Sequence, residues 1–250
     1  MAATNEIVNY LDDRLKIEEF EDVSMNGLQV QGASVVNRVA VATDAAMATY
    51  RRAVQHECEM LVSHHGLIWG GLKYVTGRNY AHLKFLLDHN INLYAAHLPL
   101  DAHPELGNNA ILAKQAGLLE IERFGSYHGT MLGYCGSLPS PTTPEGLAGI
   151  WKGHLGCDPT ILSFGKEKIE SVGIVSGRGG ALTEAIERGV DCLVTGEGSH
   201  ENHHEALEAG INIIFLGHYY SEIVGVRAVG AELEEKFGVE AVFIDEPTAF

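Results

Sequence analysis

Short apolar runs recur along the chain, and each leads into a polar or glycine-rich turn and then into a helical pattern. The runs occupy positions 35–42, 60–62, 91–96, 171–175, 192–194 and 211–216. Helical patterns follow the first run over 45–57 and the last over 221–237. Because apolar strands that alternate with helices form parallel sheets covered on both faces, this pattern predicts an α/β fold with mainly parallel sheets.

The alternation changes in the middle of the chain, over 124–168. A short strand is predicted at 133–138, and Pro144 follows a turn-forming Ser-Pro-Thr-Thr segment, at a place suited to the first turn of a helix. We interpret this region as the join between two α/β lobes of similar size, an N-terminal lobe over 1–123 and a C-terminal lobe over 124–250. The alternative is that the two lobes pack intimately as one domain.

Uncommon polar residues follow three of the strands at their carboxyl ends. They are His64 and His65 after the second run, His97 and Asp101 after the third, and His218 and Glu222 after the last. In open α/β sheets, ligands bind outside the carboxyl ends of the strands. The sequence therefore predicts a site at these strand ends.

The adjacent histidines, His64 and His65, are expected on a loop, where neighbouring side chains diverge. One metal ion would not readily accept both, but two neighbouring ions could take one each. The other interpretation is a pair of loop histidines, one exposed and one hydrogen-bonded.

Carboxylates accompany the other two histidines. Asp101 offers hard oxygen ligands and His97 a borderline nitrogen, a mixture that first-row divalent metals accept. The alternative for Asp101 is a helix or turn cap. If a helix begins near Gly217, His218 and Glu222 lie four residues apart on one helix face. The alternative for this pair is a helix-terminal charge beside a solvent-facing histidine.

Together these residues supply imidazole and carboxylate ligands for two divalent metal ions. Two ions that share a carboxylate lie roughly 3.5–4 Å apart in hydrolytic centres. Open coordination positions would hold water, whose pKa the ions lower. Since the ligands are nitrogen and oxygen without thiolate, Zn, Fe, Mn, Ni and Co are all acceptable ions.

A histidine-rich segment follows the fifth apolar run. The segment contains His200, His203 and His204. As a helix it places His200 and His204 on one face, with Glu201 between them, but the letters H-E-N-H-H do not match the zincin motif H-E-x-x-H. A polar helix capped by Ser199 is the favoured interpretation. The alternative is that one of these histidines shuttles protons to the metal site.

Two further features have patterns of low specificity. The glycine-rich turn 176–180 could cradle a phosphate at a helix N-terminus, but it lacks the P-loop lysine, so a plain strand-to-helix turn is favoured. Trp69 and Tyr74 could line a pocket for a flat base, or they could be packing residues.

Composition and charge exclude several classes of protein. The net charge of -16 argues against nonspecific nucleic-acid binding. The apolar runs are too short to span a bilayer, and the N-terminus lacks the pattern of a signal peptide. The four cysteines are scattered without C-x-x-C pairing, which indicates core residues in a reducing compartment. We therefore expect a soluble, cytoplasmic protein, whose 13 histidines suit metal binding.

Five short motifs run in order along the chain. They are Asn-Gly-Leu-Gln-Val at 26–30, Ser-His-His-Gly at 63–66, His-Leu-Pro-Leu-Asp at 97–101, Thr-Gly-Glu at 195–197 and Gly-His-Tyr-Tyr-Ser-Glu at 217–222. In this combination the chain resembles the Nif-three-like (YbgI-type) family, whose members are often labelled GTP cyclohydrolase 1 type 2 homologues. The resemblance extends over essentially the whole chain.

The resemblance implies two α/β lobes, a dinuclear metal site between them and a toroidal homohexamer. The implied metal ligands are His64, His65, Asp101, His218 and Glu222, with Glu222 bridging the two ions. His97 is implied as a further ligand or a catalytic proton-transfer residue, and we place Asp44 behind the ligands. Two positions depart from the family pattern: Met25 replaces a usual acidic residue, and Leu98-Pro99 replaces a spacer that usually contains threonine. Neither removes a ligand, but both leave substrate specificity open.

Three hypotheses for the function follow. The first is a metal-dependent hydrolase that acts on a small molecule, with a nucleotide such as GTP among the candidate substrates and His97 or a histidine of 200–204 moving protons. The second is a non-enzymatic protein that binds or delivers metal, or a scaffold that metal regulates. The third, a nucleotide-binding module that rests on 176–180, has the weakest sequence support. Substrate turnover, together with a pocket that fits the substrate beside the metal ions, distinguishes the hydrolase from the non-enzymatic metal-binding protein.

Overall fold

The apolar runs form strands of three β-sheets in this computed structural model, which describes residues 1–71, 74–178 and 180–249. In chain order the strands are β1 (Ala2–Ala3), β2 (Gly27–Val30), β3 (Val35–Val36), β4 (Arg38–Asp44), β5 (Met60–His65), β6 (Asn92–Ala95), β7 (Leu119–Tyr127), β8 (Thr130–Thr142), β9 (Thr160–Leu162), β10 (Ile169–Val175), β11 (Cys192–Thr195), β12 (Asn212–Phe215) and β13 (Glu240–Phe243). The helices are α1 (Thr4–Leu15), α2 (Met47–Gln55), α3 (Gly77–Asp88), α4 (Leu98–Ala102), α5 (Asn108–Gln115), α6 (Pro144–Leu155), α7 (Leu182–Arg188), α8 (Glu201–Ala209) and α9 (His218–Phe237). This mixture of sheets and helices confirms the predicted α/β class.

The chain divides into two compact units. The first comprises Met1–Leu100 and Gly225–Glu246, and the second comprises Asp101–Val224 and Pro247–Phe250. This division differs from the boundary that the sequence predicts between 123 and 124, because the units follow the sheets rather than the change in sequence pattern. Strand β13 pairs in parallel with β4, which returns the end of the chain to the first unit.

The larger sheet of the first unit has the strand order β13-β4-β5-β6-β2. Strands β13, β4, β5 and β6 run parallel and β2 is antiparallel to β6, so the sheet is mainly parallel as predicted. Strand β4 is buried along its centre, as expected of a strand covered on both faces. Tyr50 of α2 and Leu86 of α3 pack with Leu61 and Leu93 of the sheet in one apolar cluster.

The sheet of the second unit has the order β7-β8-β10-β11-β12-β9 and is mixed rather than mainly parallel. Its centre, β10-β11-β12, is parallel, whereas the pairs toward both edges are antiparallel. The two-residue turn His128-Gly129 joins β7 to β8, and both of its residues have positive φ, 47° and 82°. Such a tight turn joins only antiparallel neighbours, and the apolar pattern did not indicate this hairpin.

Two helices begin where the sequence indicates. Helix α6 starts at Pro144, the side chain of Thr143 accepts a hydrogen bond from the Gly146 N–H, and Gly156 ends the helix with a φ of 71°. Helix α9 starts at His218, immediately after Gly217.

None of the helices in the described ranges combines the length and the apolar character that a membrane crossing requires.

Candidate metal centre

Three histidines of the first unit converge at the carboxyl ends of β5 and β6. One ring nitrogen from each of His64, His65 and His97 lies within 4.8 Å of the other two. His64 and His65 are the last two residues of β5 rather than loop residues, because β5 stays paired with β4 as far as His65 opposite Asp44. The prediction of a loop at this position is wrong, whereas the prediction of polar residues at a strand end is confirmed.

Hydrogen bonds fix the orientation of the two adjacent imidazoles. The Nδ1 atom of His64, which is fully buried, lies 3.0 Å from the carbonyl oxygen of Ala96. The Nδ1 atom of His65 lies 2.9 Å from Oδ1 of Asp44. Because a carbonyl and a carboxylate only accept hydrogen bonds, each Nδ1 carries a proton, and in the neutral ring the lone pair is then on Nε2. Metal-binding histidines are held in this way in proteins, with the distal nitrogen left for the ion.

His97 is anchored by a buried carboxylate that the sequence analysis did not identify. Its Nδ1 atom lies 3.1 Å from each oxygen of Asp22, whose side chain is only 3% exposed. The side chain of Asn26 donates to Asp22 and accepts a hydrogen bond from the His97 N–H. Burial raises the pKa of Asp22, but the hydrogen bond and charge of His97 together with the Asn26 amide outweigh it and lower the pKa to about 2.

Asp22 was not predicted, because the candidate residues were those at the carboxyl ends of strands. Asp22 instead lies between the 3-10 turn Ile17–Glu19 and β2. The signal that could have found it is its proximity to the Asn-Gly motif, since Asp22 lies four residues before Asn26 and accepts a hydrogen bond from the Asn26 side chain.

The segment after β5 places an indole beside these histidines. The Trp69 Nε1–H donates to the carbonyl oxygen of Gly66, and its ring stands edge-on to that of His97 with centroids 5.1 Å apart. Trp69 is 40% exposed. The Gln29 side chain holds this segment, because it accepts hydrogen bonds from the N–H groups of Leu67 and Ile68. An anchored indole thus borders the histidine cluster, while Tyr74 is 77% exposed.

Gly66 is required for steric reasons. A Cβ atom at this position would collide with the carboxamide of Gln29 and would lie 2.7 Å from Cβ of Ala95. Any larger residue would therefore push apart β6 and the segment that follows the two histidines. This explains the glycine in the Ser-His-His-Gly motif without an unusual backbone angle.

The second unit contributes three residues that suit metal binding. Asp101 lies within α4 and is 5% exposed, and its Oδ1 atom accepts hydrogen bonds from Asn108 and Ser176. One of its carboxylate oxygens lies within 4.8 Å of one from Glu222, which is itself 3% exposed. Two buried carboxylates at this distance repel each other, and a divalent cation would offset that repulsion.

His218 and Glu222 lie on one face of α9, as the sequence predicts. The His218 Nε2 atom is 3.2 Å from Oε2 of Glu222, and its Nδ1 atom is 3.2 Å from Oε1 of Glu197. Burial lowers the pKa of His218, but the hydrogen bonds and charges of Glu222 and Glu197 outweigh it and raise the pKa to about 9. Glu197 belongs to the Thr-Gly-Glu motif, and the structure gives it the position behind His218 that Asp44 has behind His65.

The glycine-rich turn 176–180 contacts this set, although Gly179 lies outside the described residues. Gly177 has a φ of 61°, and a Cβ atom there would collide with Oε1 of Glu222. Its N–H donates to the hydroxyl of Ser221, which in turn donates to the carbonyl oxygen of His218. The described part of this turn therefore packs against the first residues of α9, which agrees with a strand-to-helix turn that supports the site.

The histidine-rich segment forms α8, as predicted. His200 is the residue before its first turn and makes no side-chain cap, and Asn202 rather than Ser199 supplies the local hydrogen bond, accepting from the Ser199 N–H. The prediction of a Ser199 cap is therefore wrong. All three histidines line a cavity of about 900 Å³ in the second unit, and Glu197 lines the same cavity.

Comparisons with known proteins find relatives over nearly the whole chain. A protein called GTP cyclohydrolase 1 type 2 homolog from Archaeoglobus fulgidus is 48% identical over 244 residues, which cover 97% of this chain and 98% of that protein. The crystal structure of TTHA1606 from Thermus thermophilus is 40% identical with a TM-score of 0.89, covering 99% of this chain and 100% of the other. The structure of protein ybgI, described as of unknown function, is 34% identical with a TM-score of 0.90, covering 98% and 99%. The sequence model of the Duf34/NIF3 (NGG1p interacting factor 3) family matches residues 2–249, and the chain therefore belongs to this family.

Proposed function

We propose that this protein binds two divalent metal ions and uses them to hydrolyse a small molecule. The proposed ligands are His64, His65, Asp101, His218 and Glu222. The observation that carries the proposal is the anchoring of His64 and His65 through Nδ1, which leaves each Nε2 lone pair in the form that a metal accepts. A pair of ordinary surface histidines would not need an oxygen acceptor behind each ring.

The ligand set suits a first-row transition metal. Imidazole nitrogen and carboxylate oxygen together are accepted by Zn, Fe, Mn, Ni and Co, and availability then decides which is bound. The proximity of the Asp101 and Glu222 carboxylates supports a site for positive charge in the second unit. We propose that Glu222 bridges the two ions, as the family resemblance implies.

Bound divalent ions would supply a Lewis acid and a water molecule of lowered pKa. The chain itself would supply the proton transfer. Asp22 holds the Nδ1 proton of His97 and so leaves Nε2 as the basic atom, which can accept a proton at one step and return it at another. The same orientation also suits His97 as an additional ligand.

A flat heterocycle is the substrate class that the surroundings of the first unit support. Trp69 offers a partly exposed indole, held by its hydrogen bond to Gly66, at the edge of the histidine cluster. Indole rings stack readily on aromatic bases. The name shared by the relatives points to GTP, and we propose a nucleotide as the first substrate to test.

A homo-oligomer is also proposed, with the hexamer that the resemblance implies as the expected state. Strand β7 is an edge of its sheet and exposes Leu119 and Ile121. Exposed apolar residues on an edge strand favour pairing with a second chain. Light scattering coupled to gel filtration measures this directly.

Metal delivery is the second candidate function. The observation that favours it is the exposed group of histidines at the start of α8, which hydrolysis of a substrate at the five proposed ligands does not require.

Turnover of a substrate distinguishes hydrolysis from metal delivery. Protein reconstituted with Zn, Fe, Mn, Ni or Co is incubated with nucleoside triphosphates, and the products are separated by chromatography. Hydrolysis that is lost in His64→Ala supports the enzyme, whereas metal exchange to a chelator without any turnover supports delivery.

A further inference from the structure

His200 and His204 are arranged as a pair that can chelate one metal ion. His200 has the backbone angles of a helical residue, φ -57° and ψ -36°, and directly precedes α8. The two side chains therefore lie one helical turn apart on the same face, and their ring centroids are 6.2 Å apart. Both residues are exposed, so their rings can rotate without disturbing the core.

The separation of the rings is close to what a bound ion requires. With metal–nitrogen distances of about 2.0–2.1 Å, two imidazoles on one tetrahedral ion have ring centres roughly 5 Å apart. The observed pair is about 1 Å wider, and exposed histidines cover this difference by side-chain rotation. A helical pair at this spacing is the arrangement in which zinc proteases hold their ion, although the other elements of that motif are absent here.

His203 has a different environment although it lies between the two. Its ring meets Phe164 edge-on, with centroids 5.0 Å apart, and lies 5.3 Å from the ring of His204. Phe164 packs against an apolar cluster, whereas His203 itself is exposed and lines the same cavity as the pair. Because adjacent residues of a helix do not face each other, His203 lies off the face that His200 and His204 share and provides a control within the same helical turn.

The pair opens on a cavity that also contains carboxylates. His200, His204, Asp158 and Glu197 all line this cavity of about 900 Å³. Asp158 is paired with Lys152 and Glu197 with His218, so these carboxylates add negative charge to the cavity, which favours entry of a cation. Glu197 is also the residue that contacts His218, so the cavity borders one of the five proposed ligands.

We propose that His200 and His204 form an accessory site that binds one transition-metal ion through two imidazole nitrogens. The site is distinct from the five proposed ligands and goes beyond the proposed function. Imidazole selects late first-row ions, with Cu²⁺ and Ni²⁺ bound more tightly than Mn²⁺ or Fe²⁺, and it does not select Mg²⁺ or Ca²⁺. The acidic chain, with a net charge of -16, raises the local concentration of such cations.

The test is a Ni²⁺ titration by calorimetry of the full chain carrying His64→Ala and Glu222→Ala, which weakens the other ligand set. We expect one Ni²⁺ site in this background, at least tenfold weaker or lost when His200→Ala or His204→Ala is added, and unchanged when His203→Ala is added. Equal binding in all four proteins, or an equal loss with His203→Ala, would overturn the accessory site.

A second measurement covers the case in which the background variant does not fold. Cu²⁺ is added to the otherwise wild-type chain, and electron paramagnetic resonance counts the ions with nitrogen ligands. His200→Ala and His204→Ala are each expected to lose one such ion relative to the wild type and to His203→Ala, and an unchanged spectrum contradicts the proposal. Neither measurement depends on hydrolysis. The accessory site can therefore be disproved without affecting the five proposed ligands, and the five ligands can be disproved without affecting the accessory site.

Discussion

The carboxylate of Asp22 lies 3.1 Å from Nδ1 of His97 through each of its two oxygens. The ring of His97 therefore has one nitrogen committed to a buried anion and the other available to a metal ion or a proton. His65 has the same relationship to Asp44, and His64 to a backbone carbonyl group. Three imidazoles oriented in the same sense support the proposal that the strand ends of the first unit hold metal ligands.

Replacement of Asp22 by alanine should weaken metal binding. Without the carboxylate, the His97 ring is free to rotate and to adopt the other tautomer, and loss of such a supporting group typically costs about 10–100-fold in metal affinity. Competition with a chromophoric chelator measures the change. Asp13→Ala, at an exposed position on α1, is the control and should bind metal as the wild type does. An affinity in Asp22→Ala equal to the control would mean that His97 takes no part in the site.

Acid should remove the stability that Asp22 contributes. Its pKa is lowered from 3.8 to about 2 in the folded chain, so its contribution is complete above pH 4 and is lost as the pH falls toward 2. The shift corresponds to roughly 2 kcal/mol. In metal-free protein we expect Asp22→Asn to melt below the wild type at pH 6, with the difference shrinking between pH 4 and pH 2. A difference that stays constant over this range would show that the carboxylate charge does not stabilise the fold.

Gly66→Ala should destabilise the chain and reduce its metal content. The added methyl group collides with Gln29 and approaches Ala95, and overpacking of this kind costs about 1–3 kcal/mol. Gly149→Ala is the matched control, because its Cβ meets no atom within 4 Å and helix α6 should gain up to about 1 kcal/mol from it. Thermal melting and elemental analysis of both variants measure the changes in stability and in metal content. Equal melting temperatures would show that Gln29 moves aside at little cost.

Trp69→Ala should impair substrate binding without unfolding the protein. Because Trp69 is 40% exposed, its removal leaves the core intact, whereas the loss of a stacking surface costs about 1–3 kcal/mol, or roughly a 5- to 150-fold rise in KM for a nucleotide. Trp69→Phe keeps a ring but loses the hydrogen bond to Gly66, so it should show a smaller rise. If both variants keep the KM of the wild type while turnover is detected, the substrate does not contact the indole.

Much of the site could be predicted because strand ends and helical spacing are local properties. The apolar run before Gly217 and the spacing of His218 and Glu222 predict a histidine–carboxylate pair on α9, and the structure places their side chains 3.2 Å apart. Likewise, the run 60–62 predicts a strand that leads to His64 and His65, although pairing with β4 carries the strand three residues further than the apolar pattern does, as far as His65.

The parts that could not be predicted depend on contacts between distant segments. Asp22 and His97 are 75 positions apart, and no periodicity links them. The division of the chain follows from the pairing of β13 with β4, whose partners are about 200 positions apart in sequence. The pattern of apolar residues also could not distinguish β8 and its antiparallel partners from the parallel strands, because both kinds are buried in part.

Metal content is the measurement that tests the central claim most directly. Elemental analysis of the reconstituted protein carrying His200→Ala, which removes the accessory site, should give about two equivalents per chain. The variant His64→Ala with Glu222→Ala should lose them while its circular dichroism remains that of a folded α/β protein, and any ion left should disappear with His200→Ala. A wild type that binds no metal after reconstitution, or a triple variant that keeps two ions, would contradict the claim that these residues are metal ligands.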